Sequence, residues 1–248
     1  MPDLKLIHWQ HALTAVGLAL SLALALMPMV SHADGFAVDK VYDPYVQPLE
    51  RELEFRSILL DDDDDELNRT QVHRLGLGRS FGDRIFAEFY LIGAKESGGS
   101  LSLEAYEVEL KWQLTEQGEY FADWGLLFEL ETERDDDIWE YSTAVLVEKE
   151  FGQWAGKVNL AAIYEWGDDI ENEWESQIAT QLRYRYSRHF EPAIEYYGGD
   201  SSKGVGPVAL GDVRFSGARK LRWELGVIFG LDSESPDQTY RAMLEYEF

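Results

Sequence analysis

The chain has 248 residues and a formal net charge of −25, from 22 Lys and Arg against 47 Asp and Glu. This charge argues against nucleic-acid binding, because the chain has no basic patch to neutralise phosphates. A hydrophobic content of 45% and an aromatic content of 13% argue against a disordered chain. The absence of Cys excludes thiol catalysis, disulfides and thiolate metal sites, and no residue pattern indicates a cofactor.

The N-terminal segment, residues 1–33, is predicted to be a secretory signal peptide. An apolar run over residues 12–27 ends at Pro28, and Ser31 and Ala33 place small residues where signal peptidase cleaves. The alternative is an uncleaved membrane anchor, but the run is shorter than the ~20 residues that a spanning helix needs. No later apolar stretch is long enough for a membrane helix, so a soluble exported protein or a membrane barrel remains.

Residues 34–46 follow the signal peptide and contain Pro44, which with Pro48 prevents a continuous strand. We predict a periplasmic leader here, and a position tucked inside the lumen of a barrel also remains open. The third part of the chain, residues 47–248, is then the barrel itself.

Twelve runs between residues 47 and 248 alternate between apolar and polar side chains and are separated by breaks rich in Gly, Asp and Ser. This pattern predicts an all-β fold, a transmembrane antiparallel up-and-down β-barrel of about 12 strands. Gly76, Gly78 and Gly211 interrupt the alternation of two runs and leave room for β-bulges. The predicted strands are 47–59, 70–81, 84–94, 101–115, 119–132, 138–150, 154–166, 173–187, 189–198, 205–216, 219–231 and 238–248.

The breaks alternate between acidic loops and tighter turns, such as residues 116–118, which predicts long loops outside and short turns in the periplasm. The acidic break at residues 61–66 makes Asp61, Asp63 and Asp65 weak candidates for a divalent cation, since Ca²⁺ prefers carboxylate oxygens. This break lacks the spacing and the glycine of the calcium-binding helix-loop-helix motif, so a solvated charged loop is the plainer interpretation.

Aromatic residues concentrate at the predicted strand ends, as expected where rings sit at the depth of lipid headgroups. A soluble β-sandwich would also show alternating strands, but it would not collect its aromatic side chains at the strand ends. The sequence therefore favours the membrane barrel over a soluble β-protein.

The last run, residues 240–248, carries an apolar and aromatic face and ends at Phe248, two residues after Tyr246. This ending resembles the closing strand of Gram-negative outer-membrane barrels. The resemblance implies that Tyr246 and Phe248 are an assembly signal for the barrel-assembly machinery. An even number of strands also places both ends of the barrel chain in the periplasm. Residues 206–208, 226–231 and 244–248 also resemble poorly characterised proteobacterial outer-membrane proteins that are described as transporters.

The polar face of the strands is rich in charged residues, which must turn away from lipid because a basic residue at mid-bilayer costs up to about 4 kcal/mol. Most of these residues are carboxylates. A lumen filled by ion pairs and a narrow water-filled pore both fit a barrel of this size, since eight strands are filled and sixteen leave a channel. The residues predicted to line the lumen are Glu107, Glu109, Lys111, Asp123, Glu129, Glu131, Glu165, Arg183, Arg185, Glu195, Arg222, Glu224 and Glu245.

After cleavage the chain has two histidines, His73 and His189, and we predict no catalytic residue. Outer-membrane lipases place Ser and His together on the lipid-facing surface, and no such pair is visible in the sequence. Proteases that resemble omptins use acidic pairs and a His at the outer rim, where this chain has no His.

Three functions remain open. The first is a monomeric channel or transporter for small solutes, which favours cations through its acidic lumen. The second is a filled barrel whose acidic loops bind divalent cations or lipopolysaccharide, and the third is an outer-membrane hydrolase.

Overall fold

The computed structural model describes residues 38–62, 68–168, 170–200, 202–217 and 219–248. They form a closed barrel of twelve antiparallel strands, in which each strand pairs with its sequence neighbours and the first pairs with the last. The predicted fold is therefore confirmed, whereas the signal peptide lies outside the described residues. The strands are β1 (Arg51–Asp61), β2 (Gln71–Phe81), β3 (Ile85–Lys95), β4 (Ser102–Gln113), β5 (Asp123–Glu133), β6 (Ile138–Phe151), β7 (Trp154–Gly167), β8 (Glu173–Tyr184), β9 (Glu191–Gly199), β10 (Lys203–Arg214), β11 (Lys220–Gly230) and β12 (Gln238–Glu247).

Side-chain alternation divides each strand into an inward and an outward face. The outward face carries large apolar side chains at high exposure, for example Leu77 at 61%, Ile194 at 59% and Leu225 at 56%. Soluble proteins rarely expose a continuous apolar surface of this kind, whereas a membrane barrel requires one against lipid. Among the described residues, no helix is long and apolar enough to cross a membrane.

Aromatic side chains mark both ends of the barrel. We call the end where β1 begins and β12 finishes the lower end, and the opposite end the upper end. At the upper end the rings of Tyr164 and Trp174 lie 4.8 Å apart, and at the lower end those of Trp154 and Tyr184 lie 4.9 Å apart. Each pair lies at one end of the barrel, where the sequence predicts a belt of aromatic side chains.

The glycines of β2 do not mark bulges, because β2 keeps one register with both of its neighbours. Gly76 and Gly78 instead face inward, where a Cβ atom would collide with the rings of Tyr90 and Phe86, respectively. The strand that contains Gly211, β10, also keeps one register with β9 and with β11. Neither strand therefore contains the bulge for which the sequence left room, and the glycines of β2 make space for large inward side chains.

The connection between β4 and β5 spans residues 114–122, so it is longer than the tight turn predicted at residues 116–118. Side chains close this connection: Asp123 accepts a hydrogen bond from the Gly118 N–H at 2.7 Å, and Thr115 accepts one from the Trp124 N–H at 2.9 Å. Because these bonds satisfy the backbone locally, strand pairing begins only at Asp123.

Candidate functional site

The lumen contains the start of the described chain. Residues 38–46 lie inside the lower half of the barrel. Of the two positions that the sequence left open, this is the one inside the lumen, and not that of a periplasmic leader beyond the rim. Val41, Tyr42 and Val46 are buried there, and Val41 packs against a cluster that includes Leu210. We call residues 38–46 the lumenal segment.

The barrel wall supplies hydrogen-bond partners for the backbone of the lumenal segment. Asn159 on β7 accepts a bond from the Tyr42 N–H at 2.8 Å and donates one to the Tyr42 carbonyl at 3.0 Å. The Val46 N–H donates to the side-chain oxygen of Gln113 at 2.7 Å. A polar wall makes this burial favourable, because backbone groups removed from water need partners.

Ion pairs and a phenol fix the upper part of the lumenal segment. Asp39 pairs with the buried Arg56, and the Lys40 ammonium lies 2.6 Å from a carboxylate oxygen of Glu54. The Tyr42 hydroxyl donates to Glu109 at 2.6 Å. These contacts reach β1 and β4, so the segment is attached to more than one side of the wall.

Asp43 is surrounded by bases from three strands. Its carboxylate oxygens lie 3.7 Å from Lys111, 3.8 Å from Lys157 and 3.6 Å from Arg222. Burial opposes the ionisation of Asp43, but these three cations outweigh burial and hold its pKa well below the ordinary 3.8. The carboxylate therefore stays charged and ties β4, β7 and β11 to the lumenal segment.

A cavity of about 380 Å³ surrounds the lumenal segment in the lower half of the barrel. Charged side chains of both signs dominate its lining, among them Lys111, Glu148, Lys157, Arg183 and Arg222. The lumen is thus neither empty nor completely filled at this level.

A buried ion-pair cluster joins β9, β11 and β12 on the lumen side of the wall. The Arg241 guanidinium lies 3.0 Å from Glu195 and 3.1 Å from Glu224, and all three side chains are almost fully buried. The Tyr197 hydroxyl donates to Glu195 at 2.7 Å and adds a neutral partner.

The wall formed by β4–β8 carries carboxylates in register across five strands. Consecutive register pairs join them from β4 to β8, and all of them fall on the inward face. Like charges directly opposite each other on a sheet repel, so this arrangement favours an environment that supplies cations. We call this set the acidic row: Glu107, Glu131, Glu140, Glu165 and Glu173.

The structure places the strand residues predicted to line the lumen on the inward face, and Arg185 directly after β8 beside Glu148 and Glu150. Glu140 and Glu173 were not among the residues predicted from the sequence to line the lumen. Their place in the acidic row depends on the strand register, which decides which carboxylates become neighbours. The buried members of the predicted set are Glu107, Glu109, Asp123, Glu195, Glu224 and Glu245, and the half-buried members are Lys111, Glu129, Glu131, Glu165, Arg183, Arg185 and Arg222.

Neither histidine belongs to the acidic row. His73 faces outward with its ring stacked on Phe55 at 6.0 Å, and its buried Nδ1 has no hydrogen-bond partner. Ser57 is its register partner on β1, a neighbour that the sequence did not reveal. His189 is exposed, and its Nδ1 lies 2.9 Å from the Asp212 carbonyl oxygen. Nucleophilic catalysis needs a base hydrogen-bonded to the nucleophile, and neither ring is described in such a bond.

The residues that resemble an assembly signal lie at the lower end. The ring of Tyr246 stacks on that of Phe248 at 5.9 Å, and the Phe248 N–H donates to the Arg51 carbonyl at 2.9 Å. Of the candidates for a loop cation site, Asp61 ends β1, whereas Asp63 and Asp65 lie outside the described residues.

Comparison with solved structures shows related barrels. An outer-membrane channel from Pseudomonas putida F1 matches with a TM-score of 0.55 and 16% identity, over 85% of this chain and 98% of that one. The KdgM porin in complex with disordered oligogalacturonate matches with a TM-score of 0.51 and 14% identity, over 79% and 99%. This chain has the fold of outer-membrane barrel channels. No protein-family model matches the sequence, and no curated protein matches it.

Proposed function

We propose that this protein is a narrow, monomeric channel for small solutes in the outer membrane of a Gram-negative bacterium, and that it favours cations. The observation that carries the proposal is the acidic row on the inward face of β4–β8. Export through a cleaved signal peptide and insertion by the barrel-assembly machinery belong to the same proposal, with the lower end facing the periplasm.

The charge distribution supports a preference for cations. Carboxylates that line a pore attract cations and repel anions, and the net charge of −25 adds a field of the same sign around the barrel. The KdgM porin was solved with oligogalacturonate, which is a polyanion. The acidic row argues against a substrate of that class here.

The lumenal segment supports a restriction to small solutes. A twelve-stranded barrel is intermediate between barrels that side chains fill and barrels that leave a wide channel. Here residues 38–46 occupy the lower half, beside a cavity of about 380 Å³. A solute that passes through the barrel must pass along this cavity or displace the segment.

Ion selectivity tests the proposal. The folded protein is inserted in planar bilayers between unequal KCl concentrations, and the sign of the reversal potential should show a preference for K⁺. The triple variant Glu131→Gln, Glu140→Gln and Glu165→Gln should move the reversal potential towards zero, because it removes three charges from the acidic row.

A control variant removes three negative charges outside the lumen, through Glu96→Gln, Glu119→Gln and Glu234→Gln at exposed positions. Its reversal potential should stay at the wild-type value. An anion preference of the wild-type protein, or an equal shift in both variants, contradicts the role of the acidic row.

A filled binding barrel is the second candidate, and the Arg241 cluster together with the lumenal segment favours it. In that case the lumen supports the wall and the protein acts through its surface loops on divalent cations or lipopolysaccharide. Absence of conductance above the lipid background, both in the wild-type protein and in a variant without residues 38–46, would support this candidate over the channel.

A further inference from the structure

Three carboxylates meet beside the lumenal segment. Glu107 and Glu109 lie two residues apart on the inward face of β4, and Glu129 on β5 is the register partner of Glu109. One carboxylate oxygen from each residue lies within 4.8 Å of the other two. We call Glu107, Glu109 and Glu129 the carboxylate trio.

Each member of the trio uses one oxygen in a contact with a neighbour. Oε2 of Glu107 pairs with Arg74, Oε1 of Glu109 accepts from the Tyr42 hydroxyl at 2.6 Å, and Oε2 of Glu129 accepts from Ser142. These contacts orient the three carboxylates, and each contact engages one carboxylate oxygen.

One of the remaining carboxylate oxygens has no hydrogen-bond partner. Glu107 is 3% exposed, and its Oε1 is buried without a hydrogen-bond partner. A buried acceptor without a partner costs roughly 1–3 kcal/mol, and more when it is charged. Because Oε2 of the same carboxylate already holds Arg74, this oxygen is the one that a further ligand would satisfy.

The charges of the trio are not balanced by the protein. Within the described part of the chain, its ion pairs come from Arg74, which also lies 3.7 Å from Glu131. When all three carboxyl groups are ionised, one shared guanidinium leaves an excess of negative charge that a bound cation would offset.

A second trio in the same barrel shows the contrast. Glu52, Glu54 and Glu245 approach one another as closely, but bases neutralise two of them. Glu54 is paired with Lys40 and Arg56, and Glu245 lies 3.2 Å from Arg222. Of the two trios, the carboxylate trio therefore has the larger shortage of positive charge.

We propose that the carboxylate trio binds a hard divalent cation such as Ca²⁺ inside the barrel. Its ligand atoms are all oxygens, which Ca²⁺ prefers, and water can complete the six to eight ligands that this ion takes. With no thiolate or imidazole present, the trio is poorly suited to softer metals. The site is independent of conduction, because a filled barrel and an open channel would both contain it.

Calorimetric titration with Ca²⁺ tests the site on the folded protein without its signal peptide, in detergent free of lipopolysaccharide and after treatment with a chelator. We expect saturable binding to the wild-type protein. Glu129→Gln should weaken that binding at least about tenfold. This substitution keeps the shape of the side chain and breaks no described ion pair, since the partner of Glu129 is the Ser142 hydroxyl.

Two control variants separate the trio from other acidic sites. Glu165→Gln removes the same charge from the acidic row, and the triple variant Asp61→Asn, Asp63→Asn and Asp65→Asn removes three of the six carboxylates of residues 61–66. Both should bind Ca²⁺ as the wild-type protein does. Lack of binding to the wild-type protein, equal weakening by Glu165→Gln, or loss in the loop variant would overturn the assignment.

The stability of the folded barrel gives a second measurement. Ca²⁺ that binds only the folded state should raise the temperature at which the barrel unfolds on a heat-modifiable gel. This rise should disappear in Glu129→Gln and persist in Glu165→Gln, and a rise that persists in both would also overturn the site. Conductance plays no part in either readout, so failure of the cation site and failure of the channel are distinguishable.

Discussion

The side chain of Asn159 and the backbone of Tyr42 form a reciprocal pair of hydrogen bonds across 117 residues of sequence, at 2.8 and 3.0 Å. The amide of Asn159 thus acts towards the lumenal segment as the backbone of a neighbouring strand would. Both residues are buried, so neither bond competes with bulk water. This pair links the backbone of the lumenal segment directly to the wall.

Replacement of Asn159 by Ala should loosen the lumenal segment. It removes both bonds and leaves the Tyr42 N–H and carbonyl buried without partners, at a cost of roughly 1–3 kcal/mol for each group. Hydrogen exchange of a peptide that covers residues 38–46 should become faster. Asn172→Ala at an exposed position is the control, and unchanged protection in Asn159→Ala would show that the pair does not hold the segment.

Replacement of Gly76 by Ala should destabilise the barrel. The added Cβ collides with the ring of Tyr90 and with Glu88, and overpacking of this kind costs about 1–3 kcal/mol. The unfolding midpoint in urea, read from heat-modifiable gel mobility, should fall. Gly156→Ala should have a smaller effect, since its Cβ would make an ordinary contact with Phe151 at 3.7 Å. Equal stability of the two variants would refute the close packing at Gly76.

Loss of Arg241 should be more damaging than loss of an exposed arginine. Arg241→Met leaves Glu195 and Glu224 buried without their shared cation, and breaking a buried ion pair costs about 3–5 kcal/mol. Arg219→Met removes the same charge from an exposed turn and should change stability by less than about 1 kcal/mol. Similar unfolding midpoints for the two variants would mean that the cluster contributes little.

The lumenal segment should stay docked between about pH 8 and about pH 5. The three bases around Asp43 hold its pKa below the ordinary 3.8, so the stability from its ionised form is complete above that value. This contribution to stability is lost only as the pH falls through the lowered pKa of Asp43 in the folded state. Burial lowers the pKa of Lys40, but Glu54 outweighs burial and raises it, so Lys40 also stays charged in this window.

Hydrogen exchange of residues 38–46, corrected for the intrinsic pH dependence of exchange, measures this docking. Protection should be constant across the window and should fall only under strongly acidic conditions. A loss of protection near about pH 6 would show that groups other than Asp43 and Lys40 control the segment.

The sequence predicted the strands well because a membrane barrel imposes a strict alternation on every strand. The outward apolar residues of β4, such as Val108 and Leu110, alternate with the inward Glu107 and Glu109, so a period of two identifies both faces. The glycines misled this reasoning. Gly76 lacks a side chain for a packing reason that becomes visible only when Tyr90 is placed opposite it.

The site was harder to predict because it depends on the strand register and on a segment outside the strands. Alternation shows that Glu131 and Glu165 face inward, but the register shows that Glu140 joins them in one row. The position of the lumenal segment depends on contacts such as that of Tyr42 with Glu109, which no local pattern encodes.

Single-channel recording of the wild-type protein and of a variant without residues 38–46 tests the central claim most directly. If the lumen is a solute path that the lumenal segment narrows, the wild-type protein conducts weakly with a preference for cations. The folded deletion variant should then conduct more strongly and with the same preference. A conductance that deletion leaves unchanged, or no conductance in either protein, would contradict the account.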